Sequence, residues 1–247
     1  MINIEIVKGS GTFVDSLYSI GVNIVQRTVI NVSAVMKAKQ QRFQQRSALA
    51  MNFQQQLQEL GLIPERLWWG PMAFSPVHYQ ILIAEIESHP PKRLLEVGSG
   101  TSTAVFAALA EKYGFSVLSL ENDANTIKYV QSILEGLPCS RRITIQKCGF
   151  IRRTYPNGEK YRWYDADLAR AGGMFDFVFI DGPMSSLVGR NGALPEIIPY
   201  LSKDHIIYVD DIRRRHERLC LEEWKRHFPT LTFEECPESS WLGLLKV

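Results

Sequence analysis

The sequence predicts an α/β protein with a mostly parallel seven-stranded sheet and helices on both faces. Three observations carry this reading. From Lys92 onward, short runs of apolar and β-branched residues alternate with helical patterns, the rhythm of strand-helix-strand units in a parallel sheet. The first run, Leu94-Leu95-Glu96-Val97, enters the turn Gly98-Ser99-Gly100 and then a helix-forming stretch. Several runs end in acids, at Glu121, Asp181 and Asp210-Asp211, and in open α/β sheets ligands lie beyond these carboxyl ends.

The elements follow in order. Residues 32 to 60 read as a glutamine-rich helix with a loose apolar stripe of Val35, Phe43, Leu49, Phe53, Leu57 and Leu60, stopped by Gly61. Its heptad spacing is not sustained, which favours a helix packed on the domain over a dimerisation helix. An aromatic and proline-rich loop, Trp68 to Pro76, precedes a helix from Pro76 to Ser88, with Ser75 as N-cap and Pro76 in the first helical position. Leu94 to Val97 is the first strand, Thr103 to Tyr113 a helix, Val117 to Leu120 a strand, Ala124 to Gly136 a helix and Ile143 to Gln146 a strand. Asn157-Gly158, between two aromatic and basic runs, marks a hairpin inserted at 150 to 164. Phe175 to Ile180 is a buried strand, Ala193 to Leu201 a helix, Ile206 to Val209 a strand and Arg213 to His227 a helix. Leu231 to Glu235 and Trp241 to Lys246 suit an antiparallel pair at the sheet edge. The expected organisation is a helical N-terminal extension over 1–75 and a catalytic domain over 76–247.

The glycine turn is the richest signal. Gly98 and Gly100 permit close backbone approach, and the helix that opens at Thr101 presents free amides to an anionic group. A dinucleotide fingerprint asks for a third glycine where this chain has Thr103, and it does not ask for an acid at Glu96. The run Glu96-Val97-Gly98-Ser99-Gly100 resembles the first motif of the class I S-adenosylmethionine-dependent methyltransferases. Lys92 to Val247 is similar to their Rossmann-like seven-stranded domain in element order, last strand reversed. The resemblance implies that Glu96 holds the methionine ammonium, directly or through water. It implies that the backbone of Gly98, Ser99, Gly100, Thr101 and Ser102 receives the methionine carboxylate. Glu121 then accepts hydrogen bonds from the ribose diol, and Gly149, in Cys148-Gly149-Phe150, lies by the adenine.

A second constellation is Asp181, in Phe-Ile-Asp-Gly-Pro, with Asp210 and Asp211, in Tyr-Val-Asp-Asp-Ile. It resembles the metal-holding acids of catechol-type O-methyltransferases, which implies a divalent ion such as Mg²⁺ on these three residues. Carboxylates that converge without a nearby cation repel one another, so a hard ion is a physical solution, and it would lower the pKa of a bound hydroxyl. The alternative is that Asp181 orients cofactor or substrate and one of the pair caps the next helix. Where catechol-type enzymes carry a lysine base, this chain has Met184, which leaves Asp211, His78 and His216 as candidates for the proton acceptor. Arg190 is either an anion clamp at the mouth of the site or a solvated loop arginine. Trp68, Trp69, Phe74 and the aromatic residues of 161 to 164 either wall an acceptor pocket or pack the core.

Composition narrows the partners. A net charge of +2 over 247 residues makes nucleic acid an unexpected partner, despite the local runs Arg152-Arg153 and Arg213-Arg214-Arg215. Cys139, Cys148, Cys220 and Cys236 have no paired spacing for zinc or disulfides, which fits a reducing cytoplasm. The first residues lack the pattern of a secretory signal. Polar residues break the apolar stretch from Val14 to Met36, so no transmembrane helix is expected. The expectation is a cytoplasmic O-methyltransferase for a small-molecule or glycan hydroxyl, with the N-terminal helix available for homo-oligomer assembly. An aminopropyltransferase-like enzyme and a non-catalytic cofactor-binding or assembly subunit are the alternatives, separable by cofactor preference and by turnover.

Overall fold

The computed structural model describes residues 51–68, 74–184, 188–237 and 239–247. The chain divides into two compact units, Met1–Met51 and Asn52–Val247. Most of the expected N-terminal extension, including the assembly helix as far as residue 50, lies outside the described residues, as do Trp69 and Ser185 to Leu187.

The larger unit carries a seven-stranded sheet in the order β3-β2-β1-β6-β7-β9-β8. Its strands are β1 (Arg93–Val97), β2 (Ser116–Glu121), β3 (Ile143–Lys147), β6 (Phe175–Ile180), β7 (Leu201–Val209), β8 (Thr232–Cys236) and β9 (Ser239–Lys246). A separate two-stranded sheet, β4 (Phe150–Thr154) with β5 (Lys160–Tyr164), is the expected hairpin. The main sheet is parallel from β3 to β7, and β9 runs antiparallel to both of its neighbours. The expected fold class stands, reversed last strand included.

Helices cover both faces: α1 (51–59), α2 (Pro76–Ser88), α3 (Thr101–Tyr113), α4 (Ala124–Leu134), α5 (Ala193–Ile197) and α6 (Arg215–His227). The Ser75 side chain accepts from the His78 amide, with Pro76 in the first turn, as the cap signal required. Strand alternation builds two cores. Val117, Phe177 and Phe179 pack one face against α2 and α3, and Phe53 and Leu57 of α1 belong to this cluster. Leu95, Val97, Val178 and Ile180 pack the other, with Trp163 and Trp224. The helix expected over 193 to 201 is shorter than its apolar pattern suggested. Pro199 has no amide to continue it, so a 3₁₀ turn over Ile198–Tyr200 leads into a strand that begins at Leu201 rather than Ile206.

Two buried contacts set the edge where the strands end. Gly98 has φ +94, and a Cβ there would meet Gly182 Cα at 3.0 Å. A Cβ on Gly182 would meet Gly98 Cα at 2.8 Å. The loops after β1 and β6 therefore touch backbone to backbone, which only a pair of glycines allows. Beneath them lies Glu96, fully buried and opposite Ser119 in the β1–β2 register. Its carboxylate accepts from the hydroxyls of Ser102 at 2.6 Å, Thr103 at 2.7 Å and Ser119 at 2.5 Å, which ties β1 and β2 to the first turn of α3. Burial pushes its pKa up to about 7, against the opposing pull of those hydroxyls.

Gly98→Ala should lower the free energy of unfolding by about 2 kcal/mol or more, through left-handed strain and the clash with Gly182. Gly100 is extended, and a Cβ there meets only Ser102 Oγ at 4.0 Å, so Gly100→Ala should cost about 0.5 kcal/mol. Chemical denaturation of both variants checks the contrast, and equal losses would contradict it.

Glu96 makes a second prediction. Its folded pKa is raised from 4.5 to about 7, so the stability it contributes is full below pH 4.5 and is lost as the pH rises through 7. Relative to Glu96→Gln, the wild-type unfolding free energy should fall by roughly 3 kcal/mol across that window. Parallel pH profiles for the two proteins would contradict the assignment.

Candidate functional site

A cavity of about 730 Å³ opens at the carboxyl ends of β1, β2, β6 and β7, on both sides of the β1–β6 junction where the strand order reverses. At one end lie Gly98 to Ser102 and Glu121, and at the other lie Asp181, Arg190, Asp211 and Arg214. The two constellations read from the sequence thus line a single chamber.

At the first end, α3 starts at Thr101 with Gly100 as N-cap, and the Gly100 amide donates to Thr103 Oγ1 at 2.8 Å. The first-turn amides of α3 point to the loop. Glu121 Oε2 accepts from the Ser99 amide at 2.9 Å, and Oε1 accepts from the Asn122 and Asp123 amides, both at 2.7 Å. Burial raises its pKa, while these amides oppose the shift. Three of the roughly four acceptor positions of a carboxylate are thus used within the chain, which leaves room for one further donor. The Thr101 hydroxyl donates to the Trp68 carbonyl at 3.0 Å and lies 3.2 Å from the Tyr129 hydroxyl. Trp68, Phe74, Tyr79, Tyr129 and Tyr164 give the chamber its aromatic walls.

Two expected cofactor contacts sit elsewhere. Glu96 stands behind the loop, sealed from the chamber by its three hydroxyl partners. Gly149 lies outside the chamber wall, which is formed here by Asn122, Asp123, Asn125, Thr126 and Tyr164. Beside it, Phe150 stacks on Tyr164 with ring centroids 5.2 Å apart, and Tyr164 lines the chamber.

The other end differs most from expectation. Asp181, Asp210 and Asp211 do converge, with carboxylate oxygens within 4.8 Å of one another, but they converge on arginine. Arg190 is 3% exposed. Its Nη1 donates to the Asp210 carbonyl at 2.6 Å, and its Nη2 reaches Asp181 Oδ1 at 3.0 Å and Asp211 Oδ2 at 3.4 Å. Arg214 Nη1 lies 2.8 Å from the same Asp211 oxygen. Arg190 is thus neither a mouth clamp nor a solvated side chain, and the expectation of carboxylates without a nearby cation is corrected. Burial raises the pKa of Asp181 and of Asp211, with Arg190 opposing in each case. Burial also raises Asp210, reinforced by the charges of Asp181 and Asp211. Asp211 holds φ +61, an uncommon conformation for a residue with a side chain.

As they stand, these residues do not fit a resident divalent ion. Two guanidinium groups already occupy carboxylate oxygens that an ion would need, and Asp210 is buried in a form that favours its proton.

The histidines are placed away from the chamber. His78 Nδ1 faces Asp210 Oδ1 at 3.5 Å, and its Nε2 bonds Ser239 Oγ. Burial lowers its pKa to about 4, so the ring is neutral. His216 lines a separate cavity of about 340 Å³ with Glu217. Tyr161 does not line the chamber and donates to Glu196 at 2.7 Å, while Trp163 is buried in the core. Met184 lines the chamber and is partly exposed. Sequence reasoning missed Tyr79 and Tyr129, whose helical positions read as packing, and Arg214, which sat within a run of three arginines.

No family profile and no curated protein sequence matches the chain. Solved structures do. A Staphylococcus aureus protein provisionally described as a caffeoyl-CoA O-methyltransferase has a TM-score of 0.55 at 14% identity, covering 81% of this chain and 98% of that one. A Podospora anserina methyltransferase bound to S-adenosylhomocysteine has a TM-score of 0.52 at 17% identity, covering 71% and 80%. The Streptomyces achromogenes O-methyltransferase TomG, in complex with S-adenosylmethionine, has a TM-score of 0.50 at 14% identity, covering 81% and 89%. At these identities the likeness is one of fold, and the fold is that of the class I S-adenosylmethionine-dependent methyltransferases.

Proposed function

We propose that this chain transfers a methyl group from S-adenosylmethionine to a hydroxyl oxygen of a small-molecule or glycan acceptor. The observation that carries the reading is the single chamber joining the Gly98 to Ser102 loop and Glu121 to the carboxylates of Asp181 and Asp211.

The residues fit the cofactor. The space beside Gly100 is open, with only Ser102 Oγ at 4.0 Å from where a Cβ would stand, so the loop backbone is accessible to a ligand carboxylate beside the first turn of α3. Glu121 has acceptor capacity for a ribose hydroxyl, and the aromatic walls suit a planar base or sugar ring. Bound S-adenosylmethionine supplies an electrophilic methyl on a sulfonium.

The chain's own groups manage the acceptor. Asp181 lines the chamber, and Arg190 fixes one of its oxygens at 3.0 Å. Its raised pKa makes it a stronger base than an ordinary aspartate. Asp181 takes the hydroxyl proton as the acceptor oxygen forms its bond to the methyl carbon, and the electron pair of the broken carbon–sulfur bond stays on sulfur. Asp211 and Arg214 offer an acceptor and a donor to neighbouring hydroxyls of the substrate. No step passes through a metal ion.

Glu121→Ala should weaken S-adenosylhomocysteine binding by about 1.5 to 3 kcal/mol, the loss of a charge-assisted hydrogen bond. Unchanged calorimetric affinity in the folded variant would remove the ribose assignment. Asp181→Asn should leave that affinity near wild type while slowing methyl transfer by about 10² to 10⁴, measured with labelled methyl donor against a panel of hydroxylated acceptors. Tighter binding of decarboxylated S-adenosylmethionine than of S-adenosylmethionine would point instead to aminopropyl transfer.

A further inference from the structure

Three carboxylates within 4.8 Å at the carboxyl ends of neighbouring strands are an arrangement that a hard cation can complete. In this chain the position among them is held by a side chain. Arg190 contacts Asp181, Asp211 and the Asp210 carbonyl at 3.0, 3.4 and 2.6 Å. We propose that Arg190 is the permanent cation of this cluster, so that the site is built without a metal ion and becomes a divalent-cation site only when Arg190 is removed.

The guanidinium is fixed from both ends. Its backbone carbonyl accepts from the Ala193 amide at 2.9 Å. The next residue, Asn191, is clamped: its carbonyl accepts from the Tyr155 hydroxyl at 2.9 Å and from Trp224 Nε1 at 2.8 Å, and its side chain donates to Glu223. The side chain is therefore anchored at its base and bonded at its tip, and it does not swing clear of the acids without breaking buried hydrogen bonds. Arg214 adds a second positive group on Asp211 at 2.8 Å. Glu217 supplies negative charge on another side, in a cavity that Arg190 also lines. It is 2% exposed, and neither of its carboxylate oxygens has a hydrogen-bond partner among the described residues. A divalent ion placed on Asp181 and Asp211 would have to displace two guanidiniums from those oxygens or sit against them, and like charges at contact distance in a buried site repel strongly. Arginine is suited to this post because its planar fork binds several acceptors and it does not lose its proton.

The test uses the full chain and Mn²⁺ alone, with no methyl donor or acceptor, so its outcome is independent of the methyltransferase reading. Bound Mn²⁺ is read by electron paramagnetic resonance and by calorimetry. Wild type should show no saturable site at submillimolar Mn²⁺. Arg190→Met should gain one site, at least tenfold tighter than anything in wild type, and Arg190→Met with Asp211→Asn should lose it. Arg190→Lys, which keeps the charge, should stay without metal. If Arg190→Met does not fold, Arg190→Gln removes the charge while keeping a donor for the Asp210 carbonyl, and the same gain is expected of it. A stoichiometric Mn²⁺ site in wild type that disappears in Asp181→Asn would overturn the proposal. So would a folded, charge-removing Arg190 variant that takes up no Mn²⁺.

Discussion

The backbone contact between Gly98 and Gly182 is the constraint on which the rest of the site depends. It joins the loop after β1 to the loop after β6, at the point where the strand order reverses. A side chain at either position would push the two loops apart. With the loops in contact, the amides that lead into α3 and the acids that end β6 and β7 share one enclosed space. The hydroxyl-bound carboxylate of Glu96 then stiffens that junction from beneath, by linking two strands and a helix through one buried group.

Carboxylates recur throughout this edge, and each is handled differently. Glu96 is satisfied by hydroxyls, Glu121 by backbone amides and Asp181 and Asp211 by guanidiniums, whereas Asp210 stands beside a neutral histidine with its Oδ1 unpaired among the described residues. Burial raises the pKa of all five. The partners decide which of them remain negative, and the two that line the chamber opposite the Gly98 to Ser102 loop are the two that arginines hold. Charge at this site is thus assigned by local pairing, not by the identity of the acids.

Much of the fold was legible because it rests on short-range patterns. The buried runs at Leu94 and Phe175, the Asn157-Gly158 turn and the Ser75-Pro76 helix start each state their own conformation. Pro199 also marks a helix end, yet the apolar run on both sides of it reads equally as a continuing helix face. The site was legible to the extent that strand ends define it, which located Glu121, Asp181 and Asp211. It was illegible where side chains arrive from far along the chain or turn to an unexpected side. Nothing within the segment from Met184 to Asn191 reveals that Arg190 folds back on acids 9 and 21 residues away. Nor does Glu96 announce that its position in the register with Ser119 points it under the loop and not into the chamber.

The clamp on Asn191 joins parts of the chain that sequence alone treats as unrelated. Tyr155 comes from the tip of the inserted hairpin and Trp224 from α6, and both bond the carbonyl next to Arg190. The hairpin is therefore a brace for the charged centre and not an optional ornament on the sheet. Shortening the hairpin would take away one of the two donors that hold the Asn191 carbonyl, and so would loosen the backbone from which Arg190 reaches the acids.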